Sequence, residues 1–274
     1  MQPNPENILR GAAADRVAES LNRLERARAL RGPRRPNTVV IWEGPSPIDG
    51  APIVAVLSGL VSPSSNRKTG PMLQVSILRA DMDAMEASRA GADRSICGDC
   101  PLRWATGGGC YVNLGQAPLS QSRAYLRGSY PRADLEVVRR LVAGKAVRLG
   151  SYGDPAMLPL QVLRALTDTA RVWTGYTHQW RTCAPEYSAL LMASTDTVAD
   201  RMAATALGWR YFGLASDPAD APGDAIECLA DAKGIACIDC GLCAGNARAG
   251  ARSILIRPHG ARSKRALMTA GGAL

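Results

Sequence analysis

Three short apolar runs follow one another in the chain after residue 37. They are TVVIW at 38–42, PIVAVL at 52–57 and LQVSIL at 73–78, and Pro, Gly and Ser residues separate the first two. This pattern is typical of strands joined by turns. The next stretch, 79–94, is polar and rich in Ala, and we predict a helix there that leads into a cysteine loop.

Beyond the cysteine loop, helical and strand-like patterns alternate. The predicted helices cover 133–144, 158–170 and 198–208, and the predicted strands cover 146–153, 171–177, 189–195, 210–215 and 253–258. Alternation of this kind indicates βα units around a mainly parallel sheet. We therefore expect an α/β fold, in the form of a complete or partial (β/α) barrel.

The two ends of the chain differ from the middle in charge. Residues 1–36 and 251–274 both carry more Arg and Lys than acids. The apolar residues in 6–31 have helical spacing, and GPRRP at 32–36 would end that helix. We expect a basic helix and linker at 1–36, a barrel-like domain at 37–258 that includes a cysteine-rich segment at 225–247, and a basic tail at 259–274. The basic ends could bind nucleic acid, or they could be solvated surface.

The chain has no apolar run near the roughly 18 residues of a membrane span, and its first residues lack the apolar core of a secretory signal. We expect a cytoplasmic protein that does not bind membranes. In that compartment the eight cysteines are not expected to form disulfides. Clustered cysteines there indicate metal or redox chemistry.

A first cysteine group has the spacing C-x2-C-x9-C and consists of Cys97, Cys100 and Cys110. Three ligands on a tetrahedral centre leave one position open, which is typical of a reactive site. Cys183 could close the site, or it could be an unliganded small residue.

A second cysteine group has four members within CLADAKGIACIDCGLC, namely Cys228, Cys237, Cys240 and Cys243. Four thiolates can fill a tetrahedral zinc site or the four iron corners of a cubane cluster. The C-x2-C-x2-C run favours an iron–sulfur cluster, and zinc is the alternative.

The order of motifs resembles the radical S-adenosylmethionine barrel. A three-cysteine loop follows an early strand, a strand then ends in GSYGDPA at 150–156, and later strands end in TGYTH and ASTD. In this resemblance Asp154 and Pro155 stand for the Glu-Pro of a Gly-Gly-Glu-Pro-like motif, and the second cysteine group stands for an auxiliary cluster. The radical enzymes usually have C-x3-C-x2-C, where this chain has C-x2-C-x9-C.

The chain also resembles a phage and prophage family of undefined activity, the "gene product 88" proteins. The matching stretches are NRKTGPMLQ, the C-x2-C…GGCY loop, RLGSYGDP, VWTGYTHQWR, LLMASTDT and CIDCGLCAG. This resemblance implies a phage-encoded protein of the host cytoplasm and supplies no activity.

If the barrel prediction holds, reactive residues belong at the carboxyl ends of its strands. We expect catalytic roles for Asp154, Tyr176, His178 and Asp196. We expect a cofactor to contact Gly150, Ser151, Gly153, Asp154, Thr174 and Ser194. For some of these residues the sequence also allows structural roles, such as a helix N-cap at Asp154, a hydrogen-bonded structural histidine at His178 and core packing at Tyr176.

Two functions remain open from the sequence. The first is a radical S-adenosylmethionine-like enzyme with two iron–sulfur clusters, expected to be of the 4Fe–4S type, which would need an electron donor as partner. The second is a nucleic-acid-binding phage protein whose two cysteine groups are structural zinc or iron–sulfur sites.

Overall fold

The computed structural model describes residue 19 and residues 35–215, 223–248 and 250–257. The chain divides into two compact units, Met1–Pro36 and Asn37–Leu274, and the fold below is that of the second unit. The predicted helix at 6–31, apart from the helical Glu19, and the basic tail at 259–274 lie outside the described residues.

The described strands begin with three long ones and continue with shorter ones. They are β1 (Thr38–Pro45), β2 (Pro52–Ser58), β3 (Leu73–Arg79), β4 (Ala146–Tyr152), β5 (Val172–Thr174), β6 (Tyr176–Thr177), β7 (Met192–Thr195), β8 (Tyr211–Leu214), β9 (Ala225–Glu227) and β10 (Ser253–Ile256).

The described α-helices are all short. They are α1 (Ala84–Arg89), α2 (Arg94–Cys97), α3 (Ala117–Leu126), α4 (Leu135–Val142), α5 (Leu160–Thr167), α6 (Val198–Ala206), α7 (Leu229–Ala232) and α8 (Cys237–Cys240). Single turns of 3-10 helix occur at Trp104–Thr106, Pro155–Met157, Pro185–Ala189 and Gly245–Ala247.

The strands form two five-stranded sheets, with the orders β1-β2-β3-β4-β5 and β6-β7-β8-β10-β9. In the first sheet β1, β2 and β3 are antiparallel, whereas β3-β4 and β4-β5 are parallel. In the second sheet every neighbouring pair is parallel. The predicted α/β class is confirmed, but the described residues do not close a barrel, and the antiparallel start was not predicted.

Gly175 is the single residue between β5 and β6, so the last strand of the first sheet runs directly into the first strand of the second. Its N–H donates to the Cys243 carbonyl at 3.1 Å, and its own carbonyl accepts from Met192 N at 2.9 Å. A Cβ atom here would lie 2.6 Å from Leu191 Cδ2. A larger residue where the two sheets meet would therefore force the Leu191 side chain to shift.

The core explains why the predicted strands formed where they did. In β2 the five residues 53–57 are completely buried, because both faces of this strand are covered by other elements. In α4 the buried positions are Val138 and Val142, spaced by one turn. The apolar runs in the sequence thus marked segments with little or no solvent-facing side.

Most of the elements predicted after residue 37 are confirmed within five residues at their ends, but the strand predicted at 171–177 is two strands, β5 and β6, in different sheets. The sequence reasoning missed α3, β9 and the four-residue helices α2, α7 and α8. Among the residues described, no helix is long and apolar enough to cross a membrane.

The start of α1 yields a test of the fold. Asp83 is its N-cap, and one carboxylate oxygen accepts from Met85 N and Glu86 N, each at 2.9 Å. The other oxygen accepts from Arg123 Nε of α3 at 3.1 Å. The backbone hydrogen bond from Glu86, more than any other contact, lowers the pKa of Asp83.

We predict that Asp83→Ala lowers the free energy of unfolding by about 1 kcal/mol, and that Asp83→Asn, which keeps the cap, lowers it less. Because the pKa of Asp83 is lowered in the folded protein, its ionised form stabilises the fold above its ordinary pKa of about 3.9. That contribution disappears as the pH falls through the lowered value, so wild type and Asp83→Asn should converge in acid. Urea unfolding followed by circular dichroism measures this, and equal losses for Ala and Asn at neutral pH would contradict it.

Candidate functional site

A cavity of about 1190 Å³ opens at the carboxyl ends of several strands. Residues that follow β4, β6 and β7 line it, including Asp154, His178 and Asp196. Parallel strands bring their carboxyl ends to one edge of a sheet, and such edges commonly form binding sites. The three motifs GSYGDP, TGYTH and ASTD therefore contribute to the same space.

The first cysteine group lines this cavity with all three of its members, Cys97, Cys100 and Cys110. Burial, above all, raises the pKa of the Cys97 thiol well above its ordinary value, and the proximity of Cys100 and Cys110 raises it further. Cys183 does not line the cavity and instead packs against the main hydrophobic core. All three thiols thus line the cavity, and the fourth cysteine that the sequence left open does not.

A buried ion pair fixes the loop between Cys100 and Cys110. Arg103 Nε donates to Asp93 Oδ1 at 3.0 Å, and another guanidinium nitrogen donates to the Gly91 carbonyl at 2.7 Å. Both charged side chains are almost completely buried, and breaking such a pair typically costs about 3–5 kcal/mol. The polypeptide itself therefore holds the loop that carries the thiols.

Gly108 shows how tightly this loop folds back on itself. A Cβ atom at this position would lie 2.3 Å from the Pro101 carbonyl oxygen, which belongs to the backbone. A backbone atom cannot move aside as a flexible side chain can, so the turn requires glycine. This close approach brings Cys110 back toward the residues that follow Cys100.

Asp154 uses its carboxylate to hold the chain together. Oδ1 accepts from Ala156 N at 2.9 Å and caps the 3-10 turn, and Oδ2 accepts from His178 N at 2.8 Å. The residue is 7% exposed, and burial raises the pKa of its carboxyl. The N-cap role considered from the sequence is confirmed, and this residue, expected to be catalytic, has both oxygens engaged by backbone N–H groups.

His178 lies between an acid and a thiol. Its Nε2 is 3.3 Å from Asp196 Oδ2, within ion-pair range but without hydrogen-bond geometry, and its ring also contacts the Cys100 thiol. Burial alone would lower the pKa of His178, but Cys100 and Asp196 together raise it well above its ordinary value. His178 therefore places its ring between Asp196 and Cys100 at the edge of the cavity.

The second cysteine group lines a smaller cavity of about 40 Å³ with all four members, Cys228, Cys237, Cys240 and Cys243. Three backbone hydrogen bonds hold the group in place: Cys237 N to the carbonyl of Lys68 in the turn before β3 at 2.9 Å, Gly175 N to the Cys243 carbonyl at 3.1 Å, and Cys228 N to the Leu255 carbonyl at 2.8 Å. The four thiols therefore face a common space.

The four thiols enclose a small space and are not drawn together around one point. A single zinc ion at about 2.3 Å from each sulfur draws two thiolates to within about 4 Å of each other. In the described parts of the chain, no three His, Cys, Asp or Glu side chains are arranged to hold one metal ion. The cavity of about 40 Å³ exceeds the roughly 10–15 Å³ that one water requires.

Tyr176 belongs to this second group rather than to the first. Its hydroxyl hydrogen-bonds the Cys243 sulfur, and burial, followed by the nearby Cys243 and Cys237 thiols, raises its pKa well above the ordinary value. Its ring contacts that of Phe212, with centroids 4.6 Å apart. Tyr176 and Cys237 each line both cavities, so they form part of the wall between them.

The remaining predicted residues all line the large cavity. They are Gly150, Ser151, Gly153, Thr174 and Ser194. The Ser151 hydroxyl donates to the Val75 carbonyl at 2.8 Å and lies 3.0 Å from the Ser76 hydroxyl oxygen. The Ser194 carbonyl accepts from Trp180 Nε1 at 2.9 Å.

Among the polar residues of the cavity that the sequence reasoning missed are Ser58, Gln74, Gln121 and Arg148. Arg148 had a usable signal, because it is a lone charge inside the otherwise apolar run AVRLG at 146–150. Charged side chains are uncommon in the middle of a parallel strand that is covered on both faces, so such a residue indicates a specific role.

Comparisons with known proteins identify no relative of this chain. No family model, no curated protein and no solved structure matches the chain.

Proposed function

We propose that this protein is an iron–sulfur enzyme of the radical S-adenosylmethionine type, built on a partial (β/α) barrel. Cys97, Cys100 and Cys110 would hold a 4Fe–4S cluster with one open iron. Cys228, Cys237, Cys240 and Cys243 would hold an auxiliary cluster. The order of motifs resembles that of the radical enzymes, and the resemblance to the phage proteins is compatible with this function.

One observation carries the proposal: the three thiols line a cavity of about 1190 Å³ together with residues from three strand ends. A structural metal site needs a closed ligand set and no adjoining space. An enzyme that binds a cofactor and a substrate side by side needs such a space. The polar strand-end residues and the three thiols share it.

The chemistry that a bound open-site cluster supplies is the one-electron reduction of a ligand on its open iron. The protein's own residues have the supporting tasks. Asp154 fixes the backbone of His178, and the His178 ring lies between Asp196 and Cys100. Gly150, Ser151, Gly153, Thr174 and Ser194 line the part of the cavity where we propose that S-adenosylmethionine binds.

A second candidate function rests on His178. Because its ring contacts Cys100, it could close the first site as the fourth ligand of a Cys3His zinc centre. Both cysteine groups would then be structural, and the protein would act as a binding module, for example for nucleic acid. The basic segments that would carry such binding, 1–36 and 259–274, lie outside the described residues apart from Glu19, Arg35 and Pro36.

Metal analysis separates the two functions. We predict that anaerobically purified protein is brown and contains about eight iron atoms per chain, as two 4Fe–4S clusters require. Cys97→Ser or Cys110→Ser should remove about half of the iron, and Cys183→Ser, the matched control outside the cavity, should remove none. S-adenosylmethionine should change the electron paramagnetic resonance spectrum of the reduced protein. Colourless protein with stoichiometric zinc would establish the second function instead.

His178→Ala tests whether the first site is open. We predict that this variant keeps its iron, because three thiolates are sufficient ligands and the imidazole is only a neighbour. The measurement is iron and sulfide per chain beside the Cys97→Ser variant. Loss of metal to the level of Cys97→Ser would identify His178 as a ligand and close the site.

Tyr176→Phe tests the second site independently of activity. The Tyr176 hydroxyl hydrogen-bonds Cys243, and hydrogen bonds to cluster sulfurs stabilise the reduced, more negative state. A net hydrogen bond of about 0.5–1.5 kcal/mol corresponds to roughly 20–60 mV for one electron. We predict that Tyr176→Phe lowers the reduction potential of one cluster by up to that amount in a redox titration. Tyr125→Phe, which removes a hydroxyl bonded to Glu43, should leave both potentials unchanged.

A further inference from the structure

Four polar side chains form a row across the first sheet. Ser58 on β2 pairs with Gln74 on β3, Gln74 pairs with Arg148 on β4, and Arg148 pairs with Thr174 on β5. All four line the large cavity. Because neighbouring strands are about 4.8 Å apart, the row is a rigid strip of evenly spaced polar groups.

Arg148 is the unneutralised cation of this cavity. It is half-buried, and within residues 35–215, 223–248 and 250–257 no hydrogen bond or ion pair engages its guanidinium. The other cation in the lining, Lys68, is paired with Asp231 at 2.8 Å. The two acids of the lining are also occupied, since Asp154 accepts from backbone N–H groups and Asp196 faces His178. A partly buried guanidinium with five donors and no acceptor favours a bound anion.

A second observation comes from Gln121 on α3, which lies above the far end of the row. Its Nε2 donates to the Ser58 hydroxyl at 3.1 Å, but its Oε1 is buried without a partner among the described residues. Gln121 is 8% exposed and lines the cavity. A buried acceptor without a donor is costly, so Oε1 calls for an N–H or O–H group from a ligand.

The separation of these two groups sets the size of the ligand. Arg148 and Ser58 are two strand spacings apart in the row, which is about 10 Å. A ligand that spans the row therefore has an anionic group at one end and a hydrogen-bond donor about 10 Å away. Arginine binds phosphate in a bidentate manner, and hydroxyl groups such as that of the neighbouring Thr174 complete phosphate sites.

We propose that this row is the substrate site of the cavity and that it binds a phosphate monoester of about the size of a nucleoside monophosphate. Arg148 binds the phosphate, and Gln121 Oε1 accepts from the other end of the molecule. This inference deepens the proposed function by naming a substrate class for the same cavity. Binding of the phosphate requires no metal, so it can be tested separately from the clusters.

Arg148 also lies close enough to Cys237 to oppose the rise that burial causes in the pKa of this thiol. Its charge could therefore serve the second cysteine group alone, with no anion bound. The experiment has to distinguish that role from phosphate binding, and it does so by measuring iron and ligand in the same preparations.

The test is isothermal titration calorimetry on the full, anaerobically purified chain with adenosine 5′-monophosphate, glucose 6-phosphate, adenosine and S-adenosylmethionine. We expect at least one of the two phosphate monoesters to bind and phosphate-free adenosine to bind far more weakly. Arg148→Gln should weaken the binding of the monoester roughly 10- to 100-fold. Arg148→Lys should weaken binding less than Arg148→Gln does, because lysine keeps the positive charge although it cannot make the two parallel hydrogen bonds of a guanidinium.

Arg89→Gln, which removes an exposed arginine outside the cavity, is the matched control and should not change binding. Failure of both monoesters to bind overturns the proposal. Equal binding of the monoester by Arg148→Gln and Arg89→Gln also overturns it. So does an Arg148→Gln variant that loses iron while its phosphate binding is unchanged. If S-adenosylmethionine is the ligand that Arg148→Gln weakens, the anion is a carboxylate of the cofactor and the substrate assignment is wrong. Protein that contains zinc but binds the monoester through Arg148 would refute the proposed enzyme and support this site.

Discussion

The buried carboxylate of Asp154 connects the parts from which the candidate site is built. Its two oxygens accept from the turn after β4 and from the backbone of His178 after β6, and its own N–H donates to the Ile96 carbonyl at 2.7 Å. Ile96 directly precedes Cys97. One residue thus joins two strand ends and the cysteine loop. Because this carboxylate is almost completely buried, each of its bonds is stronger than it would be in water, and losing one would be costly.

The arrangement around Asp154 also explains why the first cysteine group can be open. A zinc knuckle uses the metal to fold its loop, and without metal such a loop has little to hold it. Here the Arg103–Asp93 ion pair and the close turn at Gly108 fix the loop through protein contacts alone. Thiols that are held by the chain do not need a fourth ligand to maintain their geometry. An open coordination position is then compatible with a stable fold.

The sequence predicted the strands well, since apolar runs such as PIVAVL are buried on both faces and leave little choice of structure. It could not predict that β1–β3 pair antiparallel, because a strand that is apolar on both sides carries no facing pattern to set its direction. Helix α3 was missed because APLSQSRAYL buries only Pro118, Gln121 and Ser122 and has no apolar stripe. The motif residues after β4, β6 and β7 do line one cavity, whereas the structural bonds of Asp154 depend on long-range contacts that spacing along the chain does not reveal.

The residues at the two ends of the large cavity are held in place by different kinds of contact. The thiols and His178 lie on loops that buried polar contacts fix, whereas Ser58, Gln74, Arg148 and Thr174 lie on strands whose hydrogen-bonded neighbours fix the backbone. A side chain on a central strand has little freedom to move away from an uncompensated charge. Arg148 therefore remains in the cavity, where a protein selected only for stability would have an apolar residue in this strand. The proposed phosphate site therefore depends on a side chain whose position the sheet fixes.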